Sequence, residues 1–170
     1  MIGAWLIDSA KTAAPQPAPP PGEGIDQIAF LVGGTWVSVP VPGSKSVVEE
    51  TCTWGPGKQS IPTVVVIRSG STITGQGRGC FNWDAVHQKL LSHSVIEQGG
   101  IEQRMAAHQS SRVGGVNQWY FDAEVVINSV VQQRQMTLTQ LGADEMRVDQ
   151  SLLQGGKLVP LASVTYTRRT

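Results

Sequence analysis

No stretch of this 170-residue chain is apolar for long enough to cross a bilayer as a helix. The longest runs, such as TVVVI at 63–67, fall far short of the roughly 20 residues a span requires. No integral membrane segment is expected, and a soluble chain is predicted. Charge of one sign is missing too: 13 Lys and Arg balance 13 Asp and Glu without runs of like sign. That removes the electrostatic footprint of a nucleic-acid or anionic-membrane binder. Cysteine is scarce, and the spacing of Cys52 and Cys80 fits no metal-ligand pattern. No metal and no cofactor are expected. A Gly-x-Ser-x-Gly elbow, a Walker loop and paired metal-ligand motifs are all missing, so no enzyme class is recognisable by motif.

The length suits one domain with a sizeable core. Residues 1–23 stand apart as a flexible, proline-rich arm whose AAPQPAPPPGEG tract has no means of burying itself. The IGAWLI patch before it has no basic leader and is closed by Asp8, at about six residues where a secretion signal has roughly 7 to 15. No signal is assigned, and an exported origin with a trimmed or rebuilt start stays open.

From Thr35 onward, short segments rich in Val, Thr and aromatics alternate with turn residues at intervals of roughly ten, the pattern of an all-β sandwich or barrel. About ten strands are predicted: 35–41, 46–54, 61–68, 73–83, 89–96, 101–108, 118–127, 131–140, 144–153 and 161–169. PGSK, GPGK, SGS, QGG, the glycine pair at 114–115, NS, GAD and QGGK punctuate them. Connections this short join antiparallel neighbours, and a half-wet meander removes its two exposed edges by closing. The expected fold is therefore an antiparallel up-and-down β-barrel over 24–170. In WYFDAEVVI the dry side is Trp119, Phe121, Ala123, Val125 and Ile127, and in EMRVDQSLL it is Met146, Val148 and Leu152. The segment GIDQIAFLVGG, 24–34, reads as a short helix capped by Asp26 that must dock across one barrel end. Gly33 and Gly34 supply its turn into the first strand, and Trp36 lands at the barrel floor.

Gly34, Thr35 and Trp36 resemble the Gly-x-Trp signature of the first strand of lipocalins and their calycin relatives. The resemblance implies that Trp36 packs on an Arg of the last strand, here Arg168 or Arg169. IAFLVGGTW, FNWD, LTQLGADEMRVDQSL and GGKLVPLASVTYTRR together look like an uncharacterised family of bacterial lipocalin-like barrels, some exported. The related haem-binding nitrobindins place their iron-ligating His late in the chain, and this chain has no His after His108.

Several residues could carry chemistry. If Val48, Glu50, Cys52 and Trp54 face inward, a carboxylate sits among apolar walls; shifted by one, Glu49, Thr51 and Thr53 face in and Glu50 faces water. Arg134, on the side of Met136 and Leu138, could pair with Glu50 or a ligand carboxylate, or could extend to the rim. Tyr166 shares a side with Val164. His93 is a proton shuttle, a ligand partner or a structural residue, while His87 belongs to a turn and His108 to an outer face. Gly75, Gly77 and Gly79 leave room inside the barrel or relieve crowding at a sharp bend. Cys52 and Cys80 fall on opposite faces of strands roughly 9.5 Å apart, so free thiols are expected.

The leading functional expectation is a barrel that binds a small hydrophobic molecule, a largely apolar ligand carrying a polar or carboxylate head. Trp54, Phe81, Met105, Trp119, Phe121, Arg134, Met136 and Tyr166 are its expected ligand-binding residues. The alternative is a cyclase, isomerase or hydrolase using Glu50 or His93 to move a proton and Arg134 or Tyr166 to steady negative charge. An interaction domain with a filled barrel is a third reading, and a homodimer stays open.

Overall fold

The computed structural model describes residues 23–40, 43–113 and 117–170. The proline-rich arm, except Glu23, and the glycine pair at 114–115 lie outside them. Ten strands form one closed antiparallel barrel: β1 (Thr35–Ser38), β2 (Ser46–Cys52), β3 (Ser60–Ser69), β4 (Thr72–Asp84), β5 (Lys89–Gln98), β6 (Ile101–Val113), β7 (Gln118–Ile127), β8 (Val130–Gln140), β9 (Glu145–Gln154) and β10 (Lys157–Arg169). Each pairs with its neighbour in sequence, and β1 meets β10 with Thr35 opposite Arg169 and Trp36 opposite Arg168. The meander is up-and-down, as the short connections require.

Several bounds differ from the sequence expectation. β1 ends at Ser38, while β6 runs on to Val113 through a register shift between Gln109 and Ser111. β10 begins at Lys157, four residues before the predicted start, because Pro160 sits at a shift between Pro160 and Ala162. A bulge is where a strand tolerates a residue without an N–H.

The segment expected as a helix is a 3-10 helix over Gly24–Leu31, kinked at Ile28, and the chain is already extended at Val32. Asp26 lies inside its first turn; the cap position is Glu23, which makes no side-chain cap bond. What holds this element is docking: Ile28 and Leu31 are buried, and Gln27 Oε1 accepts from the indole N–H of Trp119 at 2.8 Å. Phe30 stacks on Trp119 with ring centroids 5.5 Å apart.

The corner into β1 has little space. A Cβ on Gly34 would stand 2.8 Å from the carbonyl oxygen of Arg169, and Gly34 has φ +74. Only glycine satisfies both conditions. Trp36, fully buried, then donates its indole N–H to Leu31 O at 2.8 Å and receives the Arg168 guanidinium over its ring at 4.5 Å. Arg168 also donates to the carbonyls of Phe30, Val32 and Ala143 and pairs with Asp144 at 3.4 Å. One cation thereby ties the helix, the first strand and the β8–β9 connection into a sealed floor.

The glycines of β4 resolve between the two readings given above. Gly75, Gly77 and Gly79 face inward opposite Ile67, Val65 and Thr63. A Cβ on them would meet backbone oxygens of β5 at 2.7, 2.6 and 2.8 Å. They permit a tight curl of β4 against β5; the room for side chains has already been taken by the neighbouring strand.

Candidate functional site

The barrel is solid at its floor and hollow above it. Ile28, Trp36, Ile61, Leu90 and Trp119 fill the base with essentially no exposure. Above them lies a pocket of ≈ 170 Å³. Its lining is mixed all round. Glu50, Thr63, Ser92 and Ser94 come with Val65, Phe81 and Ile96 from β2 to β5, and β6 to β9 contribute Gln103 and Gln150 beside Met105, Phe121, Met136, Leu138, Met146 and Val148. Tyr166 of β10 closes the circle on the other side of β1 from Glu50.

Glu50 faces inward, in register with Trp36 and Val65. The inward register holds because its neighbour Glu49 finds cations outside: Arg68 at 3.0 Å and Arg169 at 2.9 Å. Those partners hold the Glu49 carboxyl below the ordinary carboxylate range. Glu50 has no ion pair among the described residues; its one hydrogen bond is a weak donation from the buried Cys52 thiol at 3.9 Å. Its intermediate exposure reflects the pocket it lines, not bulk water. Burial therefore pushes its pKa up, opposed only by the Cys52 contact. Tyr166 is also raised, first by burial and then by the nearby Glu50 carboxylate, and Cys52 is raised for the same two reasons.

Of the expected ligand-binding residues, Phe81, Met105, Phe121, Met136 and Tyr166 line the pocket. Trp119 belongs to the floor, held by Gln27 and Phe30. Trp54 lies beyond the end of β2 with Lys58 5.7 Å from its ring centroid and does not line the pocket. Arg134 does point to the inner side, opposite Ala123 and Leu152, but it is not the partner of Glu50. Nearer the other end of the barrel, it donates to Gln132 Oε1 at 2.7 and 3.1 Å and to Gln150 Oε1 at 3.0 Å.

His93 is on the outer wall, in register with Cys80 and Ala106, and its side chain is exposed. The strand pleat turns its side chain away from Glu50, although the residue borders the same pocket. It borders a shallow outer hollow with His108, Asp122 and Glu124, and among the described residues no three His, Cys, Asp or Glu converge as metal ligands. Cys80 is likewise outside and Cys52 inside; both are free thiols. His87 sits in the turn expected of it, its Nδ1 2.7 Å from Asp84.

Sequence reasoning passed over Gln27, Ser92, Ser94, Gln103 and Gln150. The serines flank His93 at inward positions, a signal available once the parity of β5 is fixed by Leu90. No protein-family model matches the chain, and no curated protein matches it either.

Proposed function

We propose that the protein binds a small, largely apolar molecule inside its barrel. The observation that carries this reading is the pocket left above a packed floor, with largely apolar walls and a carboxyl that no cation among the described residues neutralises. A core that served stability alone would gain by filling such space and by replacing Glu50 with an apolar residue. The volume argues for a ligand of modest size: an engineered cavity of about 150 Å³ holds benzene. One ring or a short branched chain fits within it. Contact of Trp36 with Arg168 supports placing the chain among lipocalin-like barrels. Because Arg134 lies outside the lining and is held by neutral amides, the polar end of the ligand is better served by Glu50 and Tyr166.

The catalytic alternative would have to run on Glu50 and Tyr166, since His93 faces outward. The interaction-domain reading calls for a filled interior, and the pocket speaks against it. Native mass spectrometry of freshly purified protein is expected to reveal a bound small molecule that is lost on denaturation. Protein that carries nothing, and that shows no thermal shift with single-ring apolar compounds, would overturn the reading.

A further inference from the structure

Resting on that reading, we infer that the deep end of the pocket recognises a neutral carbonyl group, its oxygen accepting hydrogen bonds from the Glu50 carboxyl and the Tyr166 hydroxyl. Both side chains enter the same pocket from strands that flank β1. Ser38, opposite Tyr166 on β1, accepts from the Val48 N–H at 2.8 Å and keeps its own O–H as a donor. Among the described residues the Tyr166 hydroxyl has no hydrogen-bond partner and Glu50 has only the long thiol contact. Neither group gives its O–H to a protein acceptor among the described residues, so the oxygen of a ligand can take both.

The groups around Glu50 bear on its form. On its own strand is Cys52, a thiol; on β3 are Thr63 and Val65; on β10 are Tyr166 and, beyond Trp36, Arg168. Arg168 is turned into the floor carbonyls and Asp144, and it does not neutralise Glu50. Burial raises the pKa of both Glu50 and Tyr166, which favours protonated donors for both groups. A ligand carboxylate would bring a second acid beside the first. An ammonium would need Glu50 ionised, and both charges would then be stripped of water in the same hollow. A carbonyl avoids each cost. The facing wall is mostly Met105, Phe121, Met136 and Leu138, with the amides of Gln103 and Gln150 beside them, so the carbonyl belongs on a largely hydrocarbon or aromatic frame.

The test compares four probes of one shape by titration calorimetry at pH 6: ethylbenzene, acetophenone, 1-phenylethylamine and benzoate. Acetophenone is expected to bind roughly tenfold more tightly than ethylbenzene, the worth of one good hydrogen bond. That preference should shrink as pH rises and Glu50 ionises. Glu50→Leu and Tyr166→Phe should each reduce it while ethylbenzene still binds, and Glu50→Gln, which keeps a donor, should retain it without pH dependence. Equal affinity for acetophenone and ethylbenzene would overturn the inference and leave the binding reading standing, as would tightest binding of the amine or of benzoate. So would a preference unchanged in both Glu50→Leu and Tyr166→Phe. Failure of ethylbenzene and all the others to bind would remove both.

Discussion

Glu49 and Glu50 are joined by one peptide bond and have their pKa values moved in opposite directions, because the pleat sends one to the arginines outside and the other to the hollow inside. The consequence is a paired pH dependence. Glu49 is lowered by Arg68 and Arg169, so its contribution is present above the ordinary carboxylate pKa and is lost as pH falls. Glu50 is raised by burial; the native state holds its proton more tightly than the unfolded chain does, so stability is highest below the ordinary pKa and declines as pH rises. Urea unfolding between pH 4 and 8 should show Glu50→Gln equal to the wild type in acid and increasingly more stable toward neutrality. Glu49→Gln should do the reverse, costing up to about 1 kcal/mol at pH 7, as expected for a pair near the surface, and little in acid.

Which of the two carboxylates faced inward was not legible along the strand itself. Val48, Glu50 and Cys52 alternate as acceptably as Glu49, Thr51 and Thr53. The deciding cations are 19 and 120 positions away from Glu49, and only the assembled barrel brings them alongside. The two readings of Arg134 could not be separated for the same reason: its inward parity was readable, but its depth in the barrel and its glutamine partners depend on the register of β8 and β9.

At the scale of elements, β4 shows how much a strand can be shaped by side chains it does not have. Gly77→Ala would put a methyl 2.6 Å from Val95 O, a backbone atom that cannot rotate aside. Overpacking of that kind typically costs about 1–3 kcal/mol. Gly142→Ala meets nothing within 4 Å and is a matched control expected to be near neutral. Chemical denaturation of the two variants checks the difference. Most strands were legible because alternation survives burial on one face: Trp119, Phe121, Ala123 and Val125 are buried as the pattern of WYFDAEVVI requires. The opening helix was legible in place but not in type. Eight residues with glycine at one end and a kink at Ile28 hold their position by the contacts of Gln27 and Phe30, and such contacts leave no periodic trace in sequence.

For the whole molecule, every pairing but one joins strands that follow each other in sequence. Nine hairpin contacts can form locally, and the tenth cannot. Refolding followed by tryptophan fluorescence should therefore show Trp36 acquiring its native environment in a late phase, on the millisecond-to-second scale of non-local β topologies. Simultaneous recovery of the whole signal in microseconds would contradict this picture.

The seam between Thr35 and Arg169 has a further cost during biosynthesis. Until β10 has left the ribosome, the nascent chain carries two bare borders, one along β1 and one along β9, each a ready template for another chain. A polypeptide interrupted before Val164 would lack the strand segment that bears Tyr166 and Arg168. It would lose the pocket and the floor clasp together, and its fate would be self-association rather than a smaller working barrel.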